Sequence, residues 1–406
     1  MKILQLTKKF PFPLKDGESI AVTNLGKSLY DLGCEVSLLS MNTKKHFNPN
    51  ADKTTELSFY KDIKQIFIDN TIKVTDAFSN LFSKDSYHIS RYLSKSFEEE
   101  LISLLQKNTY DIIQLETLYL APYIPIIRKY SKAIVAMRAH NIEHEIWTRI
   151  TSNTNFYPKK WYLNYLTKKL KNFEIEQFEN YDFLVAISDR DLELFQSLGY
   201  SNGAFSTPIG IEPEQFDLDF RAYNNPNLSL SFIGSLDWVP NTEGLQWFID
   251  NVWKKQDSKL SDVSLHIAGR NTPQNLKNLE LPNFKVHGEV PCSKTFLNEH
   301  PVMIVPLFSG SGLRAKIIEA MALGRTVIST NLGLEGIHAT DKKEVLIANT
   351  AEEFIDCIDY CNHNHEEMIQ IGTNARYFIE KNFDSLAITT QLLDQYKLIK
   401  SQGYPK

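Results

Sequence analysis

Short apolar runs alternate with segments whose apolar residues recur every three or four positions. Residues 2–6 read as a strand, and Ala21, Leu25, Leu29 and Leu32 then repeat at helical spacing before Gly33. Further strands are expected at 35–39, 111–115, 133–137 and 183–187, with helices at 119–130 and 189–198. A second series begins beyond Pro208-Ile-Gly-Ile-Glu-Pro213 and the polar run 222–227. It offers strands at 228–233, 265–268, 284–287, 303–307, 326–329 and 345–348, a helix at 242–252, and helices from there to the C-terminus. Strands alternating with helices imply parallel sheets covered on both faces. The pattern predicts an α/β protein of two doubly wound domains joined near residue 210. Such domains are expected to face each other across a cleft at the C-terminal ends of their strands, where open sheets of this kind bind ligands.

The most informative segment is Phe308-Ser-Gly-Ser-Gly-Leu-Arg-Ala-Lys-Ile-Ile-Glu-Ala-Met-Ala-Leu-Gly324. It follows an apolar run and opens a helix expected at 313–323, which Gly324 ends. A glycine-rich turn through Gly310, Ser311 and Gly312 thus delivers a helix N-terminus at the end of a strand, a geometry that binds phosphates. Arg314 and Lys316 are expected in the first turn, where the helix dipole disfavours cations unless an anion arrives. Lys316 and Glu319 share a face, so a phosphate at Lys316 would bring Glu319 near an adjoining sugar hydroxyl. The plain alternative is a capped surface helix with two solvated cations.

With 406 residues, the chain has room for two domains of about 200 each. A net charge of −5 argues against a dedicated nucleic-acid binder. Cys34, Cys292, Cys357 and Cys361 show no metal-ligand spacing and no disulfide framework. The first apolar run is too short for a signal peptide, and none approaches the roughly 18 residues that span a bilayer. These features point to a cytoplasmic protein.

In the first half, Gly17 closes the loop after the first strand, as an ordinary turn glycine or as a point where backbone meets ligand. Arg138, His140 and Asn141 follow a strand, and a histidine there can exchange a proton with a reacting group. His140 and His144 are four apart, but Asn141 replaces the glutamate that the zinc pattern requires, so no metal site is expected. Asp189-Arg-Asp191 resembles a metal signature, yet Ser188 and Asp189 read better as helix caps. Residues 158–177 mix five lysines with Trp161, Tyr162, Tyr165 and Phe173. A basic aromatic helix can lie on an anionic membrane surface, at the inner face for a cytoplasmic protein. Glu174, Glu176 and Glu179 dilute its charge and favour a solvated face.

The chain resembles the retaining GT-B glycosyltransferases, specifically the family-4 group, nearly end to end. The resemblance rests on the loop ending at Gly17, Ala136-Met-Arg-Ala-His-Asn141, Val185-Ala-Ile-Ser188, Pro208-Ile-Gly-Ile-Glu212, Phe232-Ile-Gly-Ser235, Ile267-Ala-Gly269 and His287-Gly288. It is most specific at Gly310-Ser-Gly-Leu-Arg-Ala-Lys-Ile-Ile-Glu-Ala320, like a subgroup with Gly-x-Gly-x-Arg-x-Lys-x-x-Glu, and at Gly333-Leu-Glu-Gly336. It implies two Rossmann-like domains, an acceptor domain at 1–207 and a nucleotide-sugar domain at 208–383, with helix 384–406 crossing back to the first. It implies sugar transfer from a nucleotide diphosphate sugar to a glycan or lipid-linked acceptor, with no metal or other cofactor. Glu319 would bind the ribose, Gly288 would flank the base, His140 would lie near the reacting sugar, and Gly234 and Arg270 would line the donor site.

Two positions depart from the family. Ser311 stands where a glutamate usually touches the donor sugar, and Ser235 and Glu243 stand near where an arginine and a lysine are usual. The phosphate-neutralising role is therefore expected to have moved to Arg314 and Lys316, at the heart of a metal-free transferase in surface polysaccharide or glycan assembly. A nucleotide-sugar epimerase on the same fold and a non-catalytic sugar-nucleotide-binding subunit are the rival readings.

Overall fold

Every strand pairing among the described residues of the structure, a computed structural model, is parallel. It describes residues 1–403 apart from 15–16, 45–46, 48–54, 72–79, 81–85, 153, 155, 226, 256–257 and 311. The chain divides into two units, Met1–Gly210 with Ser385–Lys406, and Ile211–Asp384. In the first, the main elements are β1 (Lys2–Thr7), α1 (Gly17–Asp31), β2 (Glu35–Thr43), β3 (Ile63–Ile68), α2 (Lys95–Lys107), β4 (Ile112–Leu115), α3 (Ile124–Tyr130) and β5 (Ile134–Ala139). Then come α4 (Glu143–Ser152), α5 (Tyr157–Glu176), β6 (Phe183–Ala186), α6 (Asp189–Ser197) and β7 (Gly203–Ser206). The strand order is β3-β2-β1-β4-β5-β6-β7.

The second unit holds β8 (Ser229–Ile233), α7 (Val239–Asn251), β9 (Ser264–Ala268), β10 (Phe284–Gly288), β11 (Val302–Val305), α8 (Ala315–Ala322), β12 (Thr326–Ser329), β13 (Leu346–Ile347), α9 (Ala351–His363) and α10 (His365–Asn382). Its strand order is β10-β9-β8-β11-β12-β13. Both sheets reverse direction of winding beside their first strand, as doubly wound folds do.

The pattern of apolar positions located the buried strands but missed β3 and β7. Both are sheet edges and only partly buried, so neither carries a continuous apolar run. The helix expected at 119–130 is instead a 3-10 turn, Leu118–Tyr123, followed by α3, with Pro122 inside the turn. The one expected at 242–252 starts earlier, because Pro240 suits a first helical turn.

The last helix, α11 (Ser385–Ser401), belongs to the first unit. Leu392, Leu393, Tyr396 and Ile399 are buried with Ile3, Val36, Ile112 and Ile134 of the central strands. Ser385 meets Ser28 of α1 at 2.9 Å between hydroxyls. The Tyr396 hydroxyl donates to Gln114 Oε1 at 2.6 Å, deep in the sheet. Tyr396→Phe should cost about 1–3 kcal/mol, since it leaves a buried acceptor unpaired while keeping the packing. Urea denaturation of the variant against the parent measures that difference.

Candidate functional site

In sheets covered on both faces, interior strands are expected to be apolar. The first unit breaks that rule at Gln5, Gln114, Glu116, Arg138 and His140, all buried. Glu116 follows β4 and is the hub. Its Oε2 accepts from Arg138 Nη1 at 3.2 Å and lies 3.0 Å from His140 Nε2. Its Oε1 accepts from Gln5 Nε2 at 2.9 Å and from Gln114 Nε2. Tyr60 OH donates to Gln5 Oε1 at 2.8 Å, and Tyr396 completes the outer ring through Gln114. Burial pushes the Glu116 carboxyl up, but Arg138 and His140 outweigh it and leave it below the usual carboxylate range.

Burial also lowers the His140 pKa, Arg138 adds to that, and the Glu116 hydrogen bond only partly offsets them. His140 is therefore neutral near pH 7, with its proton on Nε2 toward the carboxylate. The Nδ1 lone pair has no hydrogen-bond partner among the described residues. Beside it lies a small cavity lined by Thr117, Leu118, His140, Asn141, Glu143 and Glu174. His140 and His144 face different carboxylates, since His144 Nδ1 meets Glu174 Oε2 at 2.5 Å.

Gly17 is not a loop residue but the first residue of α1. The next residue, Glu18, lies 3.4 Å from both Lys8 and Lys9. Burial lowers the Lys8 pKa, yet Glu18 and Glu143 outweigh it and raise the ammonium above its ordinary value. Tyr119 OH donates to Glu143 Oε2 at 2.9 Å. At Asp189 and Asp191 the local chemistry is capping: the Ser188 hydroxyl accepts from Asp191 N at 3.1 Å.

The second unit builds its candidate site at the ends of β8, β9, β10 and β11. Gly310 and Gly312 both have left-handed backbone, φ +97° and +83°, which lets the turn double back. Ser311 between them lies outside the described residues. Arg314 is not in the first helical turn but is the N-cap of α8, with φ −94° and ψ 88°, and its Nη1 donates to Gly312 O. Arg314 thus approaches from the turn and Lys316 from the helix, so the two need not share a helical face.

Lys316 donates to Asn241 Oδ1 at 2.9 Å and lies 4.6 Å from the centre of the Phe232 ring. Burial and the neighbouring Arg314 pull its pKa down to about 7. Burial raises Glu319 to about 7, opposed only by Lys294. Lys316 has no carboxylate partner among the described residues. Asn241 also donates to Ser235 O at 2.9 Å, tying the loop after β8 to α8. Gly234 sits against Lys316: a Cβ there would be 3.4 Å from Nζ. A Cβ on Gly269 would lie 2.0 Å from Gly234 O, so this close approach admits only glycine. Gly288 accepts from Gly269 N at 2.7 Å. Arg270 is held at the same strand ends by its carbonyl, which accepts from Leu236 N at 2.9 Å.

Three functional candidates, Glu116, Gln114 and Asn241, escaped the sequence reading. Gln114 and Glu116 were visible as polar residues two apart, one in and one just after an otherwise apolar strand. Asn241 carried no signal, because only the fold brings it to Lys316.

Residues 227–364 match the family of group 1 glycosyl transferases. The second unit carries a glycosyltransferase domain. Over 268 residues, 64% of this chain and 67% of the relative, the sequence is 24% identical to an uncharacterized protein in the cps region of Klebsiella pneumoniae. Among solved structures, sucrose-phosphate synthase from Thermosynechococcus elongatus aligns with a TM-score of 0.74 at 15% identity, covering 99% of this chain and 100% of that one. HepE of Anabaena, solved with UDP, aligns at 0.70 and 13%, covering 98% and 100%. TarM aligns at 0.69 and 13%, covering 97% and 98%. These likenesses give the GT-B fold, and with the matched domain the chain is a glycosyltransferase.

The lowered Lys316 pKa has a consequence for stability. Between about pH 7 and its unfolded value near 10.5, the unfolded chain binds the extra proton, so stability contributed by this site rises with pH. The melting temperature of the parent should therefore climb from pH 7 to pH 9 relative to Lys316→Met. Parallel pH profiles of the two proteins would mean that the lysine is solvated.

Proposed function

We propose that the protein transfers a sugar, with retention at the anomeric carbon, from a nucleotide diphosphate sugar to a glycan or lipid-linked acceptor. Transfer needs no metal, and the pathway is assembly of a bacterial surface polysaccharide or related glycan on the cytoplasmic side. The second unit binds the donor nucleotide and the first serves the acceptor. Support for the donor class comes from HepE, which was solved with UDP and with UDP-glucose. Support for the pathway comes from the relative in a cps region.

The observation that carries the reading is Lys316, a partly buried cation at the opening of a helix, beside a glycine turn and without a carboxylate partner among the described residues. Removing such a charge from water costs free energy until an anion arrives. A diphosphate supplies that anion, and its charge grows as the bond to the sugar breaks. Arg314, Lys316 and the α8 N-terminus are fixed in advance to stabilise it. Glu319, one turn along the helix, holds the ribose hydroxyls. Gly288 flanks the base, with Gly234, Gly310, Ser311, Gly312 and Arg270 lining the donor. His140 acts on the transferring sugar or the acceptor through Nδ1, with Glu116 fixing the tautomer and Gly17, Arg138 and Asn141 around it.

Calorimetric titration with UDP and related diphosphates tests the donor site. Arg314→Ala and Lys316→Ala should each weaken diphosphate binding roughly tenfold to a hundredfold, the worth of about 1.5–3 kcal/mol for a charge-assisted hydrogen bond. Binding of the bare nucleoside should hardly change, and a strong chelator should affect neither binding nor transfer. Unaltered diphosphate affinity in both variants places the phosphates elsewhere, and rescue of chelated enzyme by manganese or magnesium removes the metal-free mechanism.

A second experiment separates the two units. Glu319→Gln should lose nucleotide affinity, whereas His140→Ala should keep it and lose turnover. Glu116→Gln should move the acidic limb of the pH–rate profile to lower pH, because the charge that raises His140 is gone. A folded His140→Ala enzyme that transfers at the parent rate excludes the histidine from catalysis.

A further inference from the structure

Helices α4 and α5 form an antiparallel hairpin, closed by the His144–Glu174 contact and by Thr151 Oγ1 and Thr167 Oγ1, 3.5 Å apart. At its tip stand Phe156, Tyr157 and Trp161, exposed by 67%, 85% and 66%. Of the four most exposed large hydrophobic side chains among the described residues, three are these, Tyr377 being the other. They continue as a stripe along α5. Tyr157, Trp161 and Tyr165 are spaced four apart, and the rings of Trp161 and Tyr165 stack at 6.3 Å. The Lys169 ammonium then lies 4.6 Å from the centre of the Tyr165 ring.

Charge around the stripe has one sign. Residues 150–173 contain Lys159, Lys160, Lys168, Lys169 and Lys171 and no aspartate or glutamate. Lys159, Lys168 and Lys171 are exposed. Of the nearby acids, Glu174 meets His144 and Glu145 meets Arg149 and Arg190, while Glu176 stands at the end of α5 away from the tip. Nothing in the donor or acceptor chemistry above uses this surface. Leaving three large aromatic side chains in water is unfavourable for a hairpin tip that no element among the described residues covers. Tryptophan and tyrosine at a helix end, flanked by lysines, match the boundary between lipid headgroups and acyl chains, where rings are half buried and cations meet anionic phosphates.

We propose that the α4–α5 hairpin tip docks on an anionic phospholipid surface, with Phe156, Tyr157 and Trp161 entering the headgroup boundary and the lysines contacting lipid phosphates. The inference goes beyond the transfer reaction and does not depend on it. It bears on that reaction in one way: α4 starts three residues after His140 and spans ten residues, so the tip lies about 15 Å along the helix from the histidine. A docked tip would hold a lipid-linked acceptor's membrane close to that side of the first unit.

Vesicle sedimentation without any substrate tests the docking, so its result stands apart from that of the transfer assays. The full chain should sediment with phosphatidylcholine vesicles containing 30% phosphatidylglycerol, a composition of about that order being strongly anionic, and remain in solution with pure phosphatidylcholine. Raising the salt should release it, because the lysine contribution is screened. Lys159→Gln, Lys168→Gln and Lys171→Gln together should weaken partitioning roughly a hundredfold at low salt, taking roughly fivefold per lysine. Tyr157→Ser with Trp161→Ser should abolish sedimentation while leaving the thermal melt unchanged, since both side chains are exposed. Loss of a blue-shifted emission component in Trp161→Ser on vesicle addition would place that ring in lipid. No sedimentation of the parent at low salt overturns the proposal, as does binding that survives both sets of substitutions. Parent protein that ignores vesicles but binds RNA would assign the surface to nucleic acid instead, and likewise overturns it.

Discussion

An ionised carboxylate buried at the centre of a parallel sheet must be fully hydrogen-bonded, and Glu116 sets the terms for the first unit. Arg138 and His140 supply charge and proton on one oxygen, and Gln5 and Gln114 supply donors on the other. Removing any one donor leaves part of the charge unmet in a medium where that is expensive. The demand reaches outward: Gln5 is fixed by Tyr60 and Gln114 by Tyr396. Three strands with their ends, β1, β4 and β5, the turn that carries Tyr60 and the last helix therefore agree on one arrangement. The histidine that results is neutral, oriented, and has its second nitrogen turned from the carboxylate.

The second unit solves a different electrostatic problem in the opposite way. Glu116 is surrounded by donors, whereas Lys316 and Glu319 are short of partners. Their pKa values move toward each other, to about 7 for both, because burial penalises each charge, Arg314 adds to the effect at Lys316, and only Lys294 opposes it at Glu319. A satisfied network of the first kind rigidifies. An under-compensated pair of the second kind stores free energy that a ligand with complementary groups releases. The glycines around the pair make room for such a ligand by holding backbone against backbone, as at Gly269 and Gly234.

Much of this was legible in the sequence. The alternation of apolar runs with helical periodicity gave the two doubly wound units, because a strand buried on both faces has no alternative to being apolar. The doubling back of the turn before Arg314 was legible from its two glycines, because few residues tolerate left-handed backbone at two positions in three. The edge strands β3 and β7 were not legible, since partial burial erases the run that marks a strand.

What the sequence determined by itself was local: which segments form strands and helices, where a helix N-terminus is delivered from a strand, and which titratable residues end up at strand ends. Tertiary structure decided how those residues meet. Asn241 reaches Lys316 across 75 positions, and Tyr396 reaches Gln114 across 282. Arg314 became a cap and not a helical residue through the path of the turn, and Glu116 became the partner of His140 through the pairing of β4 with β5. Protonation states followed the same division. Composition fixes the ordinary pKa of each side chain, but burial and neighbours are properties of the folded chain alone, and they make His140 neutral, Glu116 charged and Lys316 poised near neutrality.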